Sequence, residues 1–389
     1  MKFCIFNEGT CTRLRLFGED IRKLLLNNFW EESLFEDSDY ILINSCSFLK
    51  SKEDYFVKII SGKNQLKNSN QKILVFGCLP ATNPQRIRNI DNSIIFFCRD
   101  IEEIKSFFNL KNRAISPSSI TDNKLSFSQK LIWQFNNYFL RDINVDYRLM
   151  KKNVYHLKIS EGCLGRCSYC SEKLTTKFRS RKIKEIVESF KEGLSLGFKI
   201  FALNSDDCSS FGKDNRETIY SLIENLLKIE GEFKIAITEF NPQGLLNSKI
   251  FKLMASDKIG YITVPIQSGS QRILNRMRRC YQIHSIISRI KKIRKINPYL
   301  KINTHLIAGF PGETEEDFRK TLNLVKEGIF DRIKVFKYSD RLGTESSQFD
   351  NKVPDNVKIE REKILYRSIL LDSIRKRSLA NLFLNLGKI

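Results

Sequence analysis

The run Cys163-x3-Cys167-x2-Cys170, in SEGCLGRCSYC, restricts this chain more than any other feature, because it directly follows VYHLKI, an apolar segment of strand character. In parallel β/α architectures the loops at the carboxyl ends of strands form the functional face. Three thiolates on so short a loop suit three corners of an iron–sulfur cluster, whereas tetrahedral structural zinc wants a fourth nearby ligand. Neither His nor another Cys follows within about thirty residues. An iron with an open position binds a cofactor through amino and carboxylate groups, and Gly162 and Gly165 let backbone fold tightly around it. Zinc completed from afar by Cys208 or His156, or three buried thiols, are the alternatives that spacing leaves open.

The rest of the chain supplies the context for such a loop. The start MKFCIFNEGT lacks the basic-then-apolar pattern of a secretion signal, and no run of about 18 apolar residues occurs. A cytoplasmic protein without a membrane span is expected, its ten cysteines kept as thiols for metal ligation or catalysis. Over residues 1–110 a short apolar run (FCIF, YILIN, KILVF), a turn and a helical pattern repeat, which implies a parallel sheet. Residues 111–150 read as a linker region, Ser-, Asn- and Pro-rich at first and then carrying the unassigned packed segment LIWQFNNYFLRDI. From 151 to 345 strand and helix alternate again, with VYHLKI, KIFAL, KIAIT, YITV, KINTHLIAG and RIKVF as six candidate strands of a partial β/α barrel. Residues 346–389 read as a loop and a basic amphipathic helix. The expected fold class is therefore α/β: an N-terminal parallel three-layer α/β domain followed by a partial (β/α)6 barrel.

A second set of cysteines lies in the first domain. Cys11, Cys46 and Cys78 each stand just beyond one of its three strands, in GTCTR, INSCSF and VFGCLP, and so converge at one sheet edge. They suit a second cluster with an open iron, or are ordinary small buried residues. Cys4, Cys98, Cys208 and Cys280 stay unassigned.

Sixty-six Lys and Arg against forty-four Asp and Glu give a net charge of +22, which favours polyanionic partners. Richness in Ile, Asn, Phe and Lys offers a plainer source for part of that excess, lysines spread over solvated faces. Between Gln271 and Gly312, however, ten Lys and Arg occur without any acid.

With both cysteine sets in view, the chain resembles the methylthiotransferase family of radical S-adenosylmethionine (SAM) enzymes. INSC ahead of a helix, GC at 77–78, FRSR at 178–181, VPIQSGSQRILNRMRR at 264–279, GFPGETEEDF at 309–318 and YSDRLGT at 338–344 carry the resemblance over residues 1 to about 375. It implies that the barrel is a radical-SAM barrel, that Cys163, Cys167 and Cys170 hold a 4Fe–4S cluster whose open iron takes SAM, and that Cys11, Cys46 and Cys78 hold an auxiliary 4Fe–4S cluster. Around SAM it implies Asp206, Asp207, Arg181, Gln267, Ser268, Gly309, Pro311 and Gly312. Asp207 or Asp206 would alternatively cap a helix, and Thr314 with Asp317 has capping-box spacing. The activity implied is sulfur insertion and methylation at an unactivated C–H position, with a reductant such as a flavodoxin or ferredoxin. The commoner branch and the basic block at 271–312 point to a tRNA adenosine near the anticodon; a protein or peptide side chain is the alternative, and a non-catalytic iron–sulfur or RNA-binding protein a third reading. The chain departs from the family around its first cysteine, Thr10-Cys11-Thr12-Arg13-Leu14-Arg15, and no small β-barrel is expected before Ile389.

Overall fold

A computed structural model of the chain describes residues 1–111, 119–121 and 154–386. Most of the linker expected over 111–150, including LIWQFNNYFLRDI, lies outside these residues. The apolar runs of the first hundred residues form an all-parallel sheet of β1 (Lys2–Phe6), β2 (Glu31–Glu32), β3 (Tyr40–Ser45), β4 (Lys72–Gly77) and β5 (Ile95–Phe97), in the order β2-β1-β3-β4-β5. Alternate residues leave a strand on opposite faces. Ile41, Ile43, Ile73 and Val75 therefore pack with Phe56 and Ile60 of the helix Lys50–Leu66. Leu42, Leu74 and Phe76 meet Phe17, Ile21 and Leu25 of the helix Thr12–Asn27 on the other side. Burial on both faces makes these strands continuous apolar runs and gives three layers.

The second sheet begins where the linker was expected. Ser119–Thr121 form β6, antiparallel to β7 (Val154–Lys158) with Ile120 opposite His156. After β7 come a two-residue ladder, β8 (Ser160–Glu161) and β9 (Arg179–Ser180), and then β10 (Ile200–Asn204), β11 (Lys234–Ile237), β12 (Ile259–Thr263), β13 (Lys301–Ala308) and β14 (Arg332–Lys337). The order β14-β13-β12-β11-β10-β7-β6 is open at both ends, and the six strands read from the sequence are its parallel members. The last helix starts at Asp355; Leu365 and Ile369 enter the barrel core, and Tyr366 donates to the Val335 carbonyl at 3.0 Å. Among the described residues no helix is long and apolar enough to cross a membrane.

Candidate active site between the two sheets

β1, β3 and β4 are neighbours, so the chain leaves their carboxyl ends side by side. Cys46 and Cys78 follow β3 and β4 immediately and are buried, and Cys11 is exposed at the N-cap of Thr12–Asn27. Gly77 lets Cys78 approach its neighbour: its φ is +110°, a Cβ there would lie 2.5 Å from the Ser45 carbonyl oxygen, and the Cys78 N–H donates to that oxygen at 2.8 Å.

Cys163, Cys167 and Cys170 lie on the loop between β8 and β9, above β7. A Cβ at Gly165 would stand 3.1 Å from Cys163 Sγ, and the Gly165 N–H donates to that sulfur at 3.2 Å. The loop is pinned from below, because the Ser168 N–H and hydroxyl donate to the carbonyls of Met277 and Arg276 at 3.1 and 2.8 Å. A cavity of about 500 Å³ opens beside it, lined by Leu164, Arg166, Cys167, Asn241, Arg278 and Cys280 among others.

Four charged side chains join the two halves. Asp206, its side chain fully buried after β10, accepts from Arg13 at 2.7 Å, from both Nη atoms of Arg99 at 2.9 and 3.2 Å, and from the Gly162 N–H at 2.7 Å. Glu172, two residues past Cys170, meets the same arginines at 3.1 and 3.6 Å. Burial alone would raise the Asp206 pKa, yet Arg99 and Arg13 outweigh it and hold the carboxyl well below its ordinary range. Burial pushes up the thiols of Cys170, Cys46 and Cys78, Cys46 to about 11, and in each the Glu172 charge adds to the effect. Glu172 is thus within electrostatic reach of both cysteine sets.

Arg13 lies in the stretch that departs from the family pattern, and here it bridges the sheets. Sequence reasoning missed Arg99 and Glu172; the signal available was that Arg13, Arg99 and Glu172 each stand within two residues of a cysteine. Asp206, expected at SAM, accepts four hydrogen bonds within this bridge. Asp207 caps a turn, accepting from the Ser209 N–H at 2.9 Å and the Ser210 hydroxyl at 2.7 Å. Arg181 donates to the Lys158 carbonyl at 3.0 Å and stands 3.6 Å from Glu185.

The segments after β12 and β13 reach the same face. Gln267 has φ +76°, is held by its backbone between His305 and Ile307, and leaves its buried Oε1 without a hydrogen-bond partner. Ser268 is taken up by the Ser270 N–H at 3.1 Å and by Thr321. Gly309 and Gly312 both have positive φ; the Gly309 N–H donates to Glu313 at 2.8 Å, and Pro311 accepts from Arg276 at 3.2 Å. Thr314 and Asp317 form the expected capping box. Buried Glu313 pairs with Arg361 at 2.8 Å, and burial still lifts its carboxyl to about 7.

The basic block at 271–312 is largely paired within the protein, mostly at its surface. Arg272, Arg278, Lys291, Arg294 and Lys301 pair with Asp317, Glu345, Glu327 and Asp331. Arg276 and Arg289 donate to backbone carbonyls, and Arg279 is buried. Lys292 and Lys295 are exposed on the helix Ile283–Ile296.

An open six-stranded β/α barrel with a cysteine loop after its first parallel strand is the architecture of radical-SAM enzymes. Residues 157–325 match the radical SAM superfamily, and residues 17–98 match the uncharacterized protein family UPF0004. The probable threonylcarbamoyladenosine tRNA methylthiotransferase of Pyrococcus horikoshii is 31% identical over 374 residues, covering 94% of this chain and 83% of that protein. The ribosomal protein uS12 methylthiotransferase of Geotalea uraniireducens is 32% identical over 340 residues, covering 85% and 73%. In fold, the chain is similar to the radical SAM methyltransferase TsrM of Kitasatospora setae, with a TM-score of 0.62, 10% identity and coverage of 89% of this chain and 73% of that one. The chain belongs to the radical-SAM methylthiotransferase family and is a SAM-dependent transferase.

The cofactors of this family are two 4Fe–4S clusters and SAM. As the side chains stand, no group of three His, Cys, Asp or Glu among the described residues is placed to hold a single metal ion. The donor set nonetheless fits clusters. Each sheet supplies three thiols, and burial pushes up those of Cys46, Cys78, Cys163 (to about 12) and Cys170, which favours the protonated form of these four until iron displaces the proton. Gly165 leaves the space beside Cys163 open, and the orphaned Gln267 oxygen offers an acceptor to a bound ammonium or hydroxyl group.

Proposed function

We propose that the chain methylthiolates an adenosine of tRNA. Cys163, Cys167 and Cys170 would hold the radical cluster, and Cys11, Cys46 and Cys78 the auxiliary one. Gln267, Ser268, Gly309, Pro311 and Gly312 would line the SAM site, with Asp206, Asp207 and Arg181 bracing the loops around it. The bound groups supply radical generation, sulfur and methyl transfer. The protein's own share is to hold two thiol sets at one interface, bridge them with Arg13, Arg99, Asp206 and Glu172, and limit water there.

The observation that carries this reading is the position of Glu172, whose charge reaches Cys170 on the barrel and Cys46 and Cys78 on the sheet. For the substrate, the net charge of +22 and the name of the Pyrococcus relative support tRNA. The internal pairing of the basic block, and the ribosomal-protein relative, favour a protein side chain as second reading.

Incubation of the reconstituted enzyme with SAM, a reductant and either unmodified tRNA or ribosomal protein, followed by mass spectrometry of nucleosides and peptides, tests the choice. A methylthio nucleoside, together with binding that weakens steeply with salt, supports tRNA. A methylthio amino acid with shallow salt dependence contradicts it.

A further inference from the structure

Arg279 belongs by sequence to the basic block, yet its side chain is turned into the protein. The helix Gln271–Arg276 ends in a Schellman motif: the Arg278 N–H donates to Asn275 and the Arg279 N–H to Leu274, at 3.0 and 2.9 Å. The left-handed position that glycine usually fills is taken by Arg278, at φ +55°. That turn sends Arg278 outward to Glu345 at 2.8 Å and Arg279 inward, where it is 9% exposed.

Inside, the guanidinium donates to the Pro265 carbonyl at 2.7 Å, the Tyr281 hydroxyl at 3.1 Å, the Tyr169 hydroxyl at 3.2 Å and Cys167 Sγ at 3.6 Å. Among the described residues no carboxylate pairs with it. A buried cation without a counter-ion is costly. Two of its partners are tyrosine hydroxyls, which are neutral at ordinary pH. The Cys167 sulfur is the one partner that turns anionic, when it ligates iron. The Ser168 hydrogen bonds to Met277 and Arg276 fix this contact by tying the cysteine loop to the Arg279 turn.

We propose that Arg279 is a positioning residue that raises the reduction potential of the radical cluster by donating to the Cys167 thiolate. The inference rests on the assignment of Cys163, Cys167 and Cys170 as cluster ligands. Reduction adds one electron from a chemical or protein reductant to the cluster, and no bond forms or breaks. A hydrogen bond to a ligand sulfur and a fixed positive charge both favour the reduced form.

The test uses the full chain with Cys11, Cys46 and Cys78 changed to Ala, so that one cluster is read. Arg279→Gln, Arg279→Lys and, as a neighbour control, Arg278→Gln are reconstituted, assayed for iron and titrated against redox dyes by electron paramagnetic resonance. At a fixed potential below half-reduction, Arg279→Gln should hold roughly tenfold less reduced cluster, a shift of about 59 mV for one electron. Arg279→Lys should shift less, and Arg278→Gln should match the parent. A loaded Arg279→Gln protein with the parent's midpoint overturns the proposal. Arg279 variants that take up no iron while Arg278→Gln does also overturn it, and assign Arg279 to assembly of the loop. Absence of iron from the parent itself would instead strike the ligand assignment and the inference with it.

Discussion

Cys163, Cys167 and Cys170 stand on one loop between β8 and β9, whereas Cys11, Cys46 and Cys78 are drawn from the ends of three neighbouring strands, β1, β3 and β4. The first set is encoded locally and is held by its own loop, the Ser168 anchor and the Gly162–Asp206 hydrogen bond. The second exists only when the N-terminal sheet has folded in register, and it is held facing the first by the bridge of Arg13, Arg99, Asp206 and Glu172, with the pairs Lys158–Asp20 and Arg341–Glu53 beside it. Loss of the strand-end thiols should therefore silence sulfur transfer and spare radical generation. Damage to the loop should abolish both.

The largest expected effect separates the two sets directly. Cys46→Ala should remove methylthio product while SAM cleavage under a strong reductant continues, and Cys167→Ala should remove both. Chromatography of 5′-deoxyadenosine alongside product checks this; equal loss of cleavage in the two variants would break the comparison.

Next comes the bridge. Asp206→Ala leaves buried Arg99 and half-buried Arg13 facing Glu172 alone, and loss of a partner from a buried ion cluster costs about 3–5 kcal/mol. Denaturant unfolding should show that loss, and limited proteolysis should release the N-terminal sheet earlier than the barrel.

A pH series distinguishes a clamp that serves the barrel alone. Glu313, lifted from its ordinary 4.5 to about 7, binds its proton more tightly in the folded state. Its contribution to stability is therefore fully present below about pH 4.5 and is lost as pH rises through 7. Glu313→Gln should flatten that part of the melting-temperature profile, and an unchanged slope would remove Glu313 from the account.

The smallest effect is expected at Gly165. A methyl group placed 3.1 Å from Cys163 Sγ needs only a few tenths of an ångström of give. Gly165→Ala should lower iron uptake by the loop set modestly and leave the strand-end set unchanged, as read by iron content in a background lacking Cys11, Cys46 and Cys78.

What was legible in the sequence follows the same division. The loop set, the six barrel strands and the Thr314–Asp317 capping box are local patterns, visible as spacing or as continuous apolar runs. The convergence of Cys11, Cys46 and Cys78 was readable because parallel strands place their carboxyl ends together. The bridge was not, since Arg13 and Asp206 are 193 positions apart and Arg99 and Asp206 are 107, with no periodicity linking them. Charge counting likewise misjudged Arg279 and Arg294: composition registers a cation without registering which side of the backbone it takes. β6 was hidden because three residues between polar stretches carry too short a pattern to read as a strand.

The central claim, that one chain carries two separately built clusters, is tested most directly by iron and acid-labile sulfide per chain after anaerobic reconstitution. The intact protein should hold about eight irons, and the variant with Cys11, Cys46 and Cys78 changed to Ala about four. About four irons in both proteins would contradict the account and reduce the strand-end cysteines to ordinary buried residues.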